Sequence, residues 1–386
     1  MNNPEDIPPF EARLGGQVVT VHSRRSLPDW DKVTPAEVLL AEEAQALGGR
    51  LLLLGCRHGA LAAALARHCA LNYYDETVAA QQMTARTLDA NHCQGSPLDE
   101  YPPREAGEPY DSILIHLPKG RKLARRWLSA AHAALRLGGM LCLAGSNEDG
   151  VQAVLKDAAQ LFGNLSILGY KKGSRIGRML KNSQAPGAAD WVTAPGIAPG
   201  VWLEFPIQLK GAGTLVLCSQ AGVFSYDRLD EGTSFLLEHL EVPLQGRVLD
   251  FGCGCGVLGL AASRLGAASV VLVDNSLAAV AAAQETLRRN AIANAQVIAS
   301  DGLEALRDWP AGSFDLILSN PPFHSGQAVD YHASETFLDE AWKLLAAGGR
   351  ILLVANRFIR YEKRLAGRVS ILAANHKYHL IQTCKE

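Results

Sequence analysis

The residues best placed to do chemistry lie in Asp250-Phe-Gly-Cys-Gly-Cys-Gly-Val-Leu-Gly259, which sets a GxGxxG spacing at Gly254, Gly256 and Gly259. Glycines so spaced let the backbone turn sharply after a strand and approach a ligand with no Cβ in the way. Asp274 ends the next apolar run, 20 residues beyond Gly254. There a carboxylate can accept from both hydroxyls of a ribose, and Asn275 follows it. The loop alone fits a dinucleotide, S-adenosylmethionine or a structural turn. Asp250 tips the balance, because an acid beside the first glycine repels a pyrophosphate and suits the ammonium of a methionyl group. Asp301, followed by Gly302, closes the strand after that, placed to accept from an adenine amine or to cap the helix starting near Leu303. The expected cofactor-binding set is therefore Asp250, Gly252, Gly254, Gly256, Asp274, Asn275, Asp301 and Gly302, with Asn320 beside it. Cys253 and Cys255 need no function, since small side chains are tolerated in such a loop.

Asn320-Pro-Pro-Phe323 follows the apolar run Phe314 to Ser319. Two prolines stiffen the loop, and each keeps its carbonyl while lacking an N–H. The amide oxygen of Asn320 and the carbonyl of Pro321 can together receive both hydrogens of a planar amino group, aiming its lone pair at an electrophile. Phe323 offers a face for stacking the ring that carries the amine. Asn320, Pro321 and Phe323 form the expected catalytic set; His324 is assigned no proton chemistry.

These loops require an α/β scaffold. Apolar β-type runs alternate with alanine- and leucine-rich helical stretches, the signature of a mostly parallel sheet. In the second half the expected strands are Arg247 to Phe251, Val270 to Val273, Phe314 to Ser319 and Arg350 to Ala355. Val257 to Leu265, Leu277 to Asn290 and Ala333 to Leu345 are the expected helices, and Val201 to Phe224 reads as one or two β-hairpins turning at Lys210-Gly-Ala-Gly.

The first half repeats this order. Arg50 to Gly59 lies 197 residues before Arg247 to Gly256, Asp111 to Lys119 lies 204 before Asp315 to Phe323, and Leu137 to Leu141 lies 210 before Ala347 to Ile351. Three matches in one order imply two copies of one fold. The loop residues change type while the strands stay apolar: Asp250 becomes Leu53, Gly254 becomes Arg57, Asn320 becomes His116, Pro321 becomes Leu117 and Phe323 becomes Lys119. That pattern is a retained scaffold with a lost site. The expected organisation is a degenerate domain over 1–185, a proline- and glycine-rich linker over 186–200, and a catalytic domain over 201–386.

With 37 basic and 39 acidic side chains the net charge is −2, which excludes a uniformly basic nucleic-acid coat but leaves room for local patches. Three basic runs stand out: Lys119-Gly-Arg121-Lys122-Leu-Ala-Arg125-Arg126, then Lys171-Lys172 through Arg175 and Arg178 to Lys181, and Arg357 to Arg368. Each alone reads as a solvated face; all three follow the same side of their sheets or the adjoining linker, which favours a shared RNA track. A paired base has to leave its stack to reach Asn320. The eight scattered cysteines, the polar start and the lack of a long apolar stretch imply a reducing, cytoplasmic compartment with no signal peptide, membrane span or metal site.

On Asp250 to Gly259, Asn320-Pro-Pro-Phe-His324, Gly222-Val-Phe-Ser225 with Leu229-Asp230 and Gly232, and Val354-Ala-Asn356, the chain resembles the RsmC/RlmG-type tandem-domain ribosomal RNA guanine-N2 methyltransferases. Cys255 and Asp301 depart from that family's usual pattern. The resemblance implies two tandem Rossmann-like class I methyltransferase domains, the first degenerate, with a short β-hairpin segment before the second. It implies S-adenosyl-L-methionine as cofactor and methyl transfer to N2 of a guanine in ribosomal RNA of either subunit, naked or assembled, by a monomer. Lys119, Arg121, Lys122, Arg125, Arg126, Lys171, Lys172, Arg175 and Arg178 are the expected RNA contacts. Three other functions compete. Methylation of a protein glutamine amide uses the same Asn-Pro-Pro logic, and the duplicated domain and basic runs count against it. A nicotinamide-dependent reductase is opposed by Asp250, and an inert RNA-binding or assembly module is opposed by the intact second site.

Overall fold

The computed structural model describes residues 5–101, 107–321, 331–357 and 368–386. Two compact units divide the chain, Met1–Trp202 and Leu203–Glu386. In the first, a hairpin of β1 (Phe10–Leu14) and β2 (Gln17–Val21) precedes α1 (Pro35–Glu43). The sheet strands are β3 (Arg50–Leu54), β4 (Ala70–Tyr74), β5 (Ser96–Pro97), β6 (Tyr110–His116), β7 (Leu135–Ser146), β8 (Ser166–Lys171) and β9 (Ser174–Leu180). Helices α2 (Ala60–Leu65), α3 (Val78–Ala90), α4 (Arg121–Ala134) and α5 (Val151–Phe162) connect them. The spatial order is β5-β4-β3-β6-β7-β9-β8, parallel as far as β7 and antiparallel in the last two strands.

Among the described residues the second unit repeats the hairpin, the seven strands and the helices α1 to α4 in the same order. Hairpin β10 (Leu203–Leu209) and β11 (Gly213–Ser219) leads to α6 (Glu231–Glu238). Strands β12 (Arg247–Phe251), β13 (Ser269–Asp274), β14 (Ala295–Ala299), β15 (Phe314–Ser319), β16 (Leu345–Asn356), β17 (Arg368–Ala374) and β18 (Tyr378–Cys384) follow, joined by α7 (Val257–Arg264), α8 (Leu277–Arg289) and α9 (Tyr331–Leu344). Their order, β14-β13-β12-β15-β16-β18-β17, is the order of the first sheet. Even the register agrees: Leu53 pairs with Leu114 where Asp250 pairs with Leu318. The two units are the two tandem domains expected from the repeat.

Continuous apolar strands are what a sheet covered on both faces demands. Leu51 to Leu54 and Val248, Leu249, Leu316 and Ile317 are fully buried. The hairpins dock alike as well. His22 N–H donates to Thr87 Oγ1 and Thr20 N–H to Asn91 Oδ1, just as Cys218 N–H donates to Thr286 Oγ1 and Val216 N–H to Asn290 Oδ1. A hairpin thus opens both units, where the sequence was read as having one before the second only. The closing strands β17 and β18 were also not anticipated.

Residues 186–200, read as a linker, pack on the first unit. Gly187 N–H donates to the Leu161 carbonyl, Trp191 is buried under the Arg125 guanidinium, and Val192 and Ile197 are buried. Proline and glycine marked irregular backbone there, while three apolar side chains hold it down. Among the described residues no helix is long and apolar enough to cross a membrane, and no His, Cys, Asp and Glu side chains gather as a metal site.

Candidate active site

The loop after β12 binds itself to the neighbouring strand end. Gly254 N–H donates to Asp274 Oδ2 at 2.8 Å and Ser276 N–H to Asp274 Oδ1 at 2.8 Å. Gly254 has φ +55°, which its missing Cβ permits. Gly252, Gly254, Asp250, Asp274, Asn275 and Gly302 all face one cavity of about 560 Å³, a size suited to a nucleoside-bearing ligand. Gly256 stands behind it: a Cβ there would meet Ala283 at 3.1 Å, so this glycine seats α7 against α8. Asp301 is half-buried, and it is Ser300 and Gly302 beside it that line the cavity.

Asp250 is fully buried. Its Oδ2 accepts from Gly259 N–H at 2.7 Å, and no described residue donates to its Oδ1. Burial, with Asp274 nearby, pushes this carboxyl up to about 7. Burial raises Asp274 too, against the three backbone donors that hold it. The two loop thiols are buried and pushed up, Cys255 to about 12, which leaves them poor nucleophiles.

Asn320 stands at the end of β15 with Pro321, both on the same cavity. Its Nδ2 donates to Asp230 Oδ2 at 2.8 Å and to Thr233 Oγ1 at 2.9 Å. Asp230 caps α6, its Oδ2 also accepting from Thr233 N–H at 3.0 Å. A carboxylate accepts only, so the amide nitrogen faces it and Asn320 Oδ1 is left for a donor in the cavity. Phe224, 67 % exposed, and Tyr378 line the same space. Phe224, Asp230 and Gly232 belong to the motif that carries the resemblance but had no role assigned from sequence, and Thr233 and Tyr378 were not singled out. Phe323 and His324 lie outside the described residues.

In the first unit the corresponding space is filled from within. Arg57 takes φ +56° where Gly254 has +55°. Its N–H still donates to Asp75, as Gly254 does to Asp274. Its guanidinium reaches Asp29 at 3.2 Å and Glu37 at 3.5 Å, and donates to the Pro28 carbonyl at 2.8 Å. His116 contacts the Thr34 hydroxyl, and burial together with Arg57 pushes its imidazole down to about 4.

The basic residues of the first unit divide. Arg126 is buried, bonded to Glu76 Oε1 at 2.7 Å and to the Tyr101 carbonyl, so the structure removes it from the RNA contacts. The helix phase explains this: Arg121 and Arg125 share a face, both clasping Asp157, while Arg126 turns inward. Lys171 pairs with Glu42 and Arg178 with Glu43. Arg175 lies 4.8 Å over the ring of Tyr170, which is 63 % exposed. Lys119, Lys122 and Lys172 are exposed. Of the run Arg357 to Arg368, Arg357 is described and residues 358–367 are not.

Comparison with known proteins adds the family. A model described as methyltransferase small domain matches residues 214–382, and one described as methyltransferase small domain N-terminal matches 36–170. Ribosomal RNA small subunit methyltransferase C of Pseudomonas entomophila is 40% identical over 259 residues, covering 67% of this chain and 73% of that protein. The protein of the same name from Stutzerimonas stutzeri is 34% identical over 355 residues, 91% of this chain and 99% of its own. A solved structure described as T. thermophilus 16S rRNA N2 G1207 methyltransferase (RsmC) in complex with AdoMet and guanosine superposes with a TM-score of 0.77 at 29% identity, over 98% of each chain.

Proposed function

Because this chain belongs to the ribosomal RNA small subunit methyltransferase C family, it methylates ribosomal RNA with S-adenosylmethionine, and we propose that the acceptor atom is the exocyclic N2 of a guanine in small-subunit RNA. The observation that carries this reading is the fixed amide of Asn320. With both amide hydrogens engaged by Asp230 and Thr233, Oδ1 can only accept, so the group brought to it must donate an N–H. A guanine amine has two.

Asp250 Oδ1, buried and without a described donor, fits the ammonium of the cofactor, and the glycine loop leaves room for its body. When bound, S-adenosylmethionine supplies an electrophilic methyl group. Asp250, Gly252, Gly254, Asp274, Asn275 and Gly302 are assigned to hold it, with Asp301 only beside them and Gly256 supporting the loop from behind. The chain's own work is orientation. The amine is a poor nucleophile because its lone pair is delocalised into the ring. Asn320 Oδ1 and the Pro321 carbonyl take its two hydrogens and turn that lone pair toward the methyl carbon. The same two acceptors favour the positive charge that grows on nitrogen. The proton then leaves to water, with no imidazole or carboxylate base required. Phe323 is assigned the stacking face for the base. The first unit is assigned RNA recognition through Lys119, Lys122, Lys172 and Arg175, with the exposed Tyr170 ring as a stacking surface beside them.

Labelled S-adenosylmethionine incubated with the protein and with small- or large-subunit RNA, naked or assembled, tests the reading. Nucleoside digestion is expected to return N2-methylguanosine from small-subunit RNA. Label on another base atom, or in protein instead of RNA, overturns it.

A further inference from the structure

Resting on that reading, we propose that Asp230 and Thr233 are positioning residues that set which end of the Asn320 amide meets the substrate. The two ends of an asparagine amide are alike in shape and opposite in polarity. Flipped, Asn320 would present N–H groups to an amine and repel it. A cavity wall cannot make that choice, but an acceptor-only partner can, and Asp230 Oδ2 lies 2.8 Å from Nδ2. The carboxylate is itself held in place by capping α6, where the helix terminus favours negative charge. Thr233, three residues on, places its hydroxyl oxygen against the second amide hydrogen at 2.9 Å.

Two further features point the same way. Gly232 keeps the contact open, since a Cβ there would sit 3.1 Å from Asp230 Oδ2 and 3.5 Å from Asn320 Nδ2. The first unit supplies an internal comparison at the same place in the fold. There the residue capping the helix is Thr34, and the residue ending the strand is His116, their side chains 3.1 Å apart. The framework contact is kept in the unit whose site is filled, while the acceptor-only carboxylate and the amide occur together in the other. That pairing is what a positioning role requires and what a plain helix cap does not.

The test is a double-variant cycle on the full chain with small-subunit RNA. Asparagine caps a helix as well as aspartate does, so Asp230→Asn is expected to fold normally. It is expected to lower kcat about 100-fold, the scale of a small misplacement at reacting atoms, with cofactor affinity near that of the parent. Thr233→Val is expected to lower kcat, and Thr233→Ser to recover most of that loss. Because Asp230 acts through Asn320, the Asp230→Asn, Asn320→Ala pair is expected to be no slower than Asn320→Ala alone. Losses that multiply, or normal turnover in Asp230→Asn while Asn320→Ala is crippled, overturn the positioning role. Normal turnover in Asn320→Ala overturns the acceptor reading beneath it as well.

Discussion

At Asp250 the sequence and the chemistry meet in one carboxyl group. Burial raises it from 3.8 to about 7, so between those values the folded cofactor-free chain keeps a proton that the unfolded chain has released. This group therefore lowers stability as pH rises through that window. A ligand ammonium beside Oδ1 favours the ionised form, so binding S-adenosylmethionine near pH 6 is expected to release a proton from the protein. Calorimetry in buffers of different ionisation enthalpy measures that release. Asp250→Asn is expected to abolish it and to weaken binding by ~1.5–3 kcal/mol, the value of a hydrogen bond to a charged group. No proton release from the parent protein would show that the ammonium binds elsewhere. The residues around this carboxyl were readable because each marks the end of an apolar strand: Asp250 and Asp274 lie in the last two residues of β12 and β13, Gly252 and Gly254 just past β12, and Asn320 directly after β15. The role of Asp230 was not, because it lies 90 residues before its partner Asn320 and the motif that holds it marks the family rather than that contact.

Helix α4 shows what a run of charge conceals. Arg121, Lys122, Arg125 and Arg126 look equivalent along the chain, yet the helical turn sends them to different surroundings. Arg121 and Arg125 close on the buried Asp157, Lys122 stays exposed, and Arg126 enters the core beside Glu76, Tyr101 and Trp127. Arg126→Ala is accordingly expected to destabilise the first unit by ~3–5 kcal/mol, the cost of stranding one member of a buried ion pair. Charge reversal at Lys122 and Lys172 is expected to leave thermal unfolding unchanged while weakening RNA binding and flattening its salt dependence. Unfolding scans and RNA titrations at several salt concentrations separate the two effects; unaltered RNA affinity in the Lys122, Lys172 variant would move the RNA surface elsewhere. The strands β12, β13 and β15 could be read to within a residue because buried parallel strands are unbroken apolar runs. The closing pair β17 and β18 could not, since β17 leaves Ile371 and Leu372 about half exposed and β18, Tyr378 to Cys384, has only Leu380 and Ile381 as aliphatic residues among polar ones.

At the scale of the molecule, one fold occurs twice and its chemistry once. The two sheets share strand order and register, and the two glycine loops share positive φ at Gly55 and Gly252, at Arg57 and Gly254, and at Gly59 and Gly256. The first loop even keeps its anchoring acid, because Asp75 receives the Arg57 N–H as Asp274 receives that of Gly254. Anchoring the loop is therefore a structural task common to both units, and cofactor binding must depend on what differs. Leu53 replaces Asp250 and is fully buried with no acceptor to offer an ammonium. Arg57 carries its guanidinium into the space the ligand would need and satisfies it on Asp29, Glu37 and the Pro28 carbonyl. Displacing that side chain would leave Glu37 buried without its cation, a cost of ~3–5 kcal/mol that ligand binding would have to overcome. Calorimetric titration of the full chain is therefore expected to return one S-adenosylmethionine per chain. Asp250→Asn is expected to weaken that single binding event, and Arg57→Gly to lower the melting temperature without adding a second one, because Leu53 and His116 remain. Two equivalents bound by the parent protein would mean that Arg57 yields to ligand and that the first unit retains a cofactor site.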